Sequence, residues 1–506
     1  MSATTVGIDA HLVEVEADLS FGMMRFVLVG LPDKAISESR ERIRAALKNS
    51  GLRPPDRFIT VNLAPANLKK QDILFDLPIS LAILQASKLI DMSDEFIEET
   101  IFLGELSLNG AIRPVTGVLS IAHFALKMGK KRLVIPKQNC QEASLIKGIE
   151  VIGVESLVQV VEYLRGERKI KPETATFDDF KQVIENHPLD FDQVKGQWQA
   201  KRALQIAAAG HHNILFIGPP GSGKTMLAKR LATILPPMSF DDVIETTKIY
   251  SIAGFLKKEN LIFHRPFRSP HHTISSAGLV GGGSNPRPGE ISLSHNGVLF
   301  LDELTEFKRS TLEVLRQPME GKKVLISRAN MSIEYPASFL LVAALNPCPC
   351  GHFGDKKKEC VCKKEQIVKY FGKISGPLLD RIDLHVNVSS VDYEDIKSVE
   401  VKSKSSKEMF VDVIKAVSTQ EKRLGTIKNA YMNSEQVEQY CVLSSDAQFV
   451  LKLAFDKLGL SMRGYHKILK IGRTIADLET SEKIEKAHIQ EAIMYRTLDK
   501  QRSNGG

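Results

Sequence analysis

The sequence predicts an α/β chain of several domains: a mixed α+β front, an α/β core and a helical C-terminal region. Three patterns carry that prediction. Strand-like and helix-like stretches alternate through residues 1–165. Apolar runs of buried-strand length recur in the middle of the chain, at Ile214–Ile217, Val298–Leu301 and 339–345. From about residue 391 the apolar spacing is helical, as at 407–417, Ser445–Leu458 and 487–497.

In the front, 13–19, 26–29, 58–63, 101–108, 133–135 and 151–154 read as strands. Residues 38–48, 77–89, 117–128 and Leu157–Leu164 read as helices. Residues 166–190 are polar, carry Pro172 and Pro188, and read as a linker. The core is expected over 191–390 and the helical region over 391–506, with a frayed tail from Gln501.

At 506 residues the chain has room for two to four domains with cores of their own. Its 43% hydrophobic and 25% charged content are those of an ordinary water-soluble protein. No apolar stretch approaches the ~20 residues of a membrane span. The first ten residues lack the basic-then-apolar plan of a secretory signal, so a cytoplasmic location without membrane contact is expected. Four of the six cysteines crowd into 348–362, which in a reducing compartment points to metal rather than disulfides. The net charge of +8 is compatible with a nucleic-acid partner but does not require one.

The chain is organised around Gly218-Pro219-Pro220-Gly221-Ser222-Gly223-Lys224-Thr225, which follows a strand-like run and precedes a helix-like one. This is the pattern G-x-x-x-x-G-K-[ST]. Glycines let backbone N–H groups close around phosphate oxygens, and the helix start favours the anion. Lys224 is expected to reach the β- and γ-phosphates of ATP, and the Thr225 hydroxyl to ligate Mg²⁺. Downstream, Val298–Leu301 runs into Asp302-Glu303. Asp302 is expected to hold Mg²⁺ and Glu303 to activate the attacking water as general base. The run at 339–345 ends in Asn346, a polar strand tip able to hold that water; Asn-Pro is also a common turn start.

Cys348 and Cys350, then Cys360 and Cys362, form two C-x-C pairs joined by a short loop, a set able to give four thiolates to one zinc ion. His352 is an alternative ligand. Residues 322–335 carry two alternating runs around Arg328-Ala329-Asn330 and read as a β-hairpin. Lys322, Lys323 and Arg328 there, and Lys356, Lys357 and Lys358 in the cysteine loop, are candidate phosphate contacts on DNA, or simply solvated charges.

These strings, with R-P-F-R-S-P-H-H-T-I-S at 265–275, L-R-Q-P-M-E-G at 315–321, A-A-L-N-P-C-P-C-G and P-L-L-D-R-I-D, resemble the magnesium-chelatase-like branch of AAA+ ATPases, and within it the ComM/YifB family. The resemblance spans nearly the whole chain. It implies a P-loop AAA+ core with a helical lid, assembled as a hexameric ring on single-stranded or branched DNA. The expected activity is branch migration of recombination intermediates, alongside other recombination proteins. It also implies that Arg381 acts on the neighbouring subunit's γ-phosphate. Arg463 is then the lid's phosphate-sensing arginine, with Arg473 as competitor. The alternative is a chelatase-type ATPase that remodels a protein partner.

The front resembles the Lon-protease-domain fold, most clearly at 104–118 and 76–84. Active members use a Ser–Lys dyad. Ile79 stands at the nucleophile's position, Ser80 is one residue off, and Leu119 lies near the lysine's position. A hydroxyl without an activating base is a poor nucleophile, so a non-proteolytic scaffold is expected.

Overall fold

The computed structural model describes residues 1–496 apart from 23–24, 31–33, 53–56, 67, 69–72, 175–188, 257–260, 284–285, 329–330, 356 and 391–403. Most of the expected linker, Lys356, the hairpin tip at 329–330, the Arg328 side chain and the tail therefore lie outside the described residues. The chain divides into two compact units: residues 1–183 with 243–263, and residues 184–242 with 264–506.

In the first unit a four-stranded sheet has the order Ser2–Val6, Asp9–Ser20, Phe58–Ala64, Arg25–Val29. Alternate residues of Phe58–Ala64 (Ile59, Val61, Leu63) face the core, as period-2 patterning requires. A second sheet is parallel, with Arg132–Pro136 between Thr100–Phe102 and Glu150–Val154. The single strand expected at 101–108 is two short ones, Thr100–Phe102 and Glu105–Leu106. The break falls at Gly104, whose N–H donates to the Leu74 carbonyl and whose carbonyl accepts from the Leu77 N–H. The chain is thereby tied to the start of helix Asp76–Ala86 instead of to a neighbouring strand.

That helix is buried over most of its length. Its Asp76 carboxylate accepts from Arg42 Nε at 3.0 Å and from the Leu106 N–H at 3.1 Å. Ile79 and Leu119 are fully buried core residues. The Ser80 hydroxyl donates to the Asp76 carbonyl at 2.8 Å, a bond within its own helix.

The second unit is built on a five-stranded sheet in the order Phe267–Arg268, Val298–Leu301, Leu340–Leu345, Ile214–Ile217, Leu384–Asn387, with every neighbour parallel. Strands of such a sheet are covered on both faces. This is why Ile214–Ile217, Val298–Leu301 and Leu340–Leu345 are uninterrupted apolar runs and fully buried. Ile214–Ile217 lies between later strands on both sides: the chain leaves it for the edge strand Phe267–Arg268 and later crosses from Leu340–Leu345 to Leu384–Asn387 on its other side. The crevice at its carboxyl end is the place where a parallel sheet presents loops to a ligand.

Beyond the sheet lie helices Ser406–Leu424, Ser434–Tyr440, Ser445–Leu458, Met462–Leu478 and Lys486–Met494. Ser405, Asn433, Ser444 and Ser461 cap the first four by accepting a backbone N–H of the first turn. The expected helical C-terminal region is present.

A buried polar cluster joins these helices to the sheet. The Asp383 carboxylate lies 2.8 Å from Lys467 Nζ and accepts the Asn213 N–H at 3.1 Å. Burial opposes its ionisation, but Lys467 and His212 outweigh burial and hold the carboxyl well below the usual carboxylate range. Lys467 also donates to the Ile382 carbonyl, at 3.2 Å, as does Arg496, at 2.9 Å. Asp383→Asn leaves the Lys467 charge without its counter-charge, and a loss of about 3–5 kcal/mol is expected in urea unfolding. The contribution of a carboxylate whose pKa is lowered by folding is present above the ordinary aspartate value. It is lost as pH falls through and below about 4. The wild type should therefore lose stability more steeply than Asp383→Asn below that pH.

Candidate nucleotide site and cysteine centre

The loop Gly218–Gly223 leaves the carboxyl end of Ile214–Ile217 and enters helix Lys224–Arg230. Gly223 precedes the helix at φ +90°, a conformation that L side chains rarely adopt. A Cβ at Gly218 would run into the Val388 carbonyl oxygen. The helix is short, because Leu231–Thr233 tightens into a 3-10 turn.

Lys224 is buried. Its Nζ donates to the carbonyls of Gly218, at 2.7 Å, and Pro219, at 2.9 Å, and to Asn346 Oδ1 at 3.3 Å. Burial lowers its pKa, against the pull of Asp302 and Glu303. Ser222 Oγ is buried with no hydrogen-bond partner. The Thr225 hydroxyl donates to Asp302 Oδ2 at 2.6 Å. These features fit a magnesium nucleotide: an orphaned hydroxyl and a lysine on the loop, and a hydroxyl–carboxylate pair of the hard-oxygen type Mg²⁺ takes. Lys224 with Thr225, Asp302, and Asn346 come from three segments distant in sequence and thus meet at the carboxyl ends of the central strands.

Glu303 has φ +51°, a strained backbone for a residue with a side chain. Its N–H donates to Asp302 Oδ1 at 3.0 Å, and its carbonyl accepts from Glu306 N at 2.8 Å, fixing the turn. The carboxylate is more than half exposed, with Oε2 3.4 Å from His272 Nδ1. His272 lies within the string R-S-P-H-H, which by itself carries no sign of a role. The adjoining strand Phe267–Arg268 pairs with Val298–Leu301, and Arg268 is fixed by a bidentate pair with Glu290 at 2.6 Å. His272 is thereby carried on a braced loop to the glutamate.

Arg381 and Arg463 meet at a common carboxylate. Arg381 Nη2 lies 2.8 Å and Arg463 Nη2 3.4 Å from Glu320 Oε1, a residue of the L-R-Q-P-M-E-G string. Arg381 is largely buried, donates to the Pro377 carbonyl at 2.7 Å, and has its Nε unpartnered. Arg463 is mostly exposed at the start of helix Met462–Leu478. Arg473, its competitor, is buried against Asp477 at 3.0 Å and donates to the Ser481 and Glu482 carbonyls, a structural set of contacts.

The sulfurs of Cys348, Cys350, Cys360 and Cys362 lie within 4.8 Å of one another. Cys348–Cys350 is 3.3 Å, Cys348–Cys360 3.6 Å and Cys350–Cys360 3.7 Å. A tetrahedral ion with bonds of about 2.3 Å sets its sulfurs about 3.8 Å apart, so the four thiols fit zinc. The His352 N–H leads the groups that hold the Cys350 thiol down at about 6, whereas for Cys360 and Cys362 backbone N–H bonds are outweighed by desolvation and the neighbouring sulfurs, which hold those thiols up. The imidazole of His352 turns to Asp355, at 3.1 Å, and is not one of the four.

The hairpin pairs Lys323–Arg328 with Met331–Pro336, as expected. Its lysines do not all project outward. Lys322 Nζ stacks 3.4 Å from the centre of the Tyr431 ring, and Lys323 pairs with Glu334 at 2.7 Å. Among the described residues no helix is long and apolar enough to cross a membrane.

Three family descriptions match the chain in series: subunit ChlI of Mg-chelatase over residues 15–139, magnesium chelatase subunit ChlI over 190–396, and magnesium chelatase subunit ChlI C-terminal over 403–496. The competence protein ComM of Haemophilus influenzae is 44% identical over 502 residues, covering 98% of this chain and 97% of ComM. This chain belongs to the ComM/YifB family of magnesium-chelatase-like AAA+ proteins. YifB of Escherichia coli is 41% identical over 495 residues, 98% of this chain and 96% of YifB. Lon protease 2 of Bacillus subtilis is 31% identical over 188 residues, 32% of this chain and 33% of its own. In this ComM/YifB chain the match over 190–396 contains the phosphate loop, Asp302, Glu303, Asn346, the cysteine centre and Arg381.

Proposed function

We propose that this ComM/YifB protein is an ATPase that assembles as a hexamer and drives branch migration of DNA recombination intermediates. Residues 191–390 form its AAA+ core, 391–506 its lid and 1–165 a non-proteolytic Lon-like scaffold. The convergence of Lys224, Thr225, Asp302, Glu303 and Asn346 at the carboxyl ends of the central strands carries the ATPase part. Similarity to a competence protein supports the DNA part, and the net charge of +8 is in keeping with it.

Lys224 exchanges its carbonyl partners for phosphate oxygens. Thr225 and Asp302 would hold Mg²⁺, which would supply positive charge against the phosphates. Glu303 takes the proton of the attacking water, and Asn346 orients that water. Arg381 leaves Glu320 to meet the neighbour's nucleotide, so turnover depends on assembly. The helical position of Arg463 suits a second phosphate contact.

Strand displacement and four-way-junction migration with ATP test this reading, with Lys224→Ala as the inactive control. Junction migration that proceeds without ATP, or ATP turnover indifferent to every DNA form, would reject the DNA assignment. The chelatase-subunit matches along the chain support a second reading, remodelling of a protein partner. ATP turnover stimulated by a protein but not by DNA would favour it. The four cysteines are proposed to hold structural zinc, and metal analysis of the purified protein should find about one zinc per chain.

A further inference from the structure

Residues flanking the four cysteines reach three segments of the candidate nucleotide site. Cys348 lies two residues beyond Asn346, at the tip of strand Leu340–Leu345. Gly351, at φ +85°, packs on the phosphate loop so closely that a Cβ there would stand 2.7 Å from Pro220 Cδ. Cys362 leads directly into helix Lys364–Phe371. That helix carries Tyr370, a buried residue whose hydroxyl accepts from Thr305 Oγ1 at 2.6 Å. Thr305 stands two residues past Glu303, in the 3-10 turn Leu304–Glu306. Glu303, Asn346, Cys350, Cys362 and Tyr370 all line one cleft of about 760 Å³.

We infer that Tyr370 and Gly351 are positioning residues through which the four-thiolate centre sets the rate of ATP hydrolysis. With metal in place, the centre fixes the strand tip at Asn346, the loop at Pro220 and the helix bearing Tyr370 relative to one another. The phenol then holds the Thr305 turn, and that turn fixes where the Glu303 carboxylate faces the cleft. Losing the metal frees the two C-x-C pairs from each other and the Tyr370 helix with them. Catalysis then weakens while Lys224 and its loop still take nucleotide. This rests on the ATPase and zinc readings above.

Tyr370→Phe keeps the ring and removes only the hydroxyl. Expected in the full-length protein are unchanged zinc content, a KM for ATP within about twofold of wild type, and kcat lower by about five- to tenfold, the rate equivalent of one net hydrogen bond. Chelating the metal from the wild type should lower kcat at least as much, and adding zinc back should restore it. In Tyr370→Phe the same chelation should cost a smaller factor, because the two share one path. ATP affinity, measured by direct binding, should survive both changes.

A wild-type kcat in Tyr370→Phe overturns the inference. So does full turnover by wild type shown to be folded and metal-free. Protein that carries no metal as purified and takes up no added zinc refutes the zinc reading instead. A loss of KM and kcat together in both arms would mark general loosening of the fold and also overturn it.

Discussion

Glu303→Gln is expected to bind ATP with near wild-type affinity and to hydrolyse it about 10²–10⁴-fold more slowly, the usual range for losing a positioned general base. The amide keeps the shape of the side chain and its place beyond Val298–Leu301 but cannot take a proton. The structure favours a specific effect, because Asp302, with its Thr225 contact at 2.6 Å, is a separate residue. Mg²⁺ and nucleotide binding should therefore survive the substitution. Single-turnover hydrolysis with radiolabelled ATP, alongside equilibrium binding of a fluorescent nucleotide, separates the two. Rapid turnover by this variant would remove Glu303 from the chemistry.

Arg381→Ala should be as severe, for a different reason. An arginine supplied to transferring phosphate across a subunit boundary is worth about 10³–10⁵ in rate. Arg381 makes no contribution to its own chain's phosphate loop through the contacts described: it meets Glu320 and the Pro377 carbonyl. Nucleotide binding by the isolated protomer should therefore be unchanged and hydrolysis by the assembly abolished. Mixing Arg381→Ala with Lys224→Ala chains should restore part of the activity, since some interfaces then combine an intact loop with an intact arginine. Absence of any rescue would mean that Arg381 serves its own chain or only the fold.

The candidate nucleotide site was legible in the sequence because its parts are local strings. Gly218–Thr225 needs each glycine where it stands, and Asp302-Glu303 announces itself by following a buried strand. The cysteine centre was legible from spacing alone. Contacts between residues remote in sequence were not. Nothing in R-S-P-H-H says that His272 lies beside Glu303, since that follows from the pairing of Phe267–Arg268 with Val298–Leu301. The sharing of Glu320 by Arg381 and Arg463, and the hydroxyl pair Thr305–Tyr370, likewise exist only once the chain has folded.

In the front, periodicity found most strands but joined two across Gly104, because a glycine hydrogen-bonded to a helix start carries no distinctive pattern. The grouping of 243–263 with the first unit left no trace in composition. Lys322 reads as a basic surface residue until Tyr431, far along the chain, is found beneath it.

The clamp on Ile382 and Asp383 has a mechanical consequence. Lys467 and Arg496 grip the backbone one and two residues from Arg381, and both belong to the C-terminal region. A swing of that region would act as a crank on the loop bearing Arg381, with Asp383 as its pin. In the proposed motor, slackening the pin with Asp383→Asn should thus cost stroke efficiency, seen as more ATP consumed per base pair moved, even at temperatures where every chain remains folded.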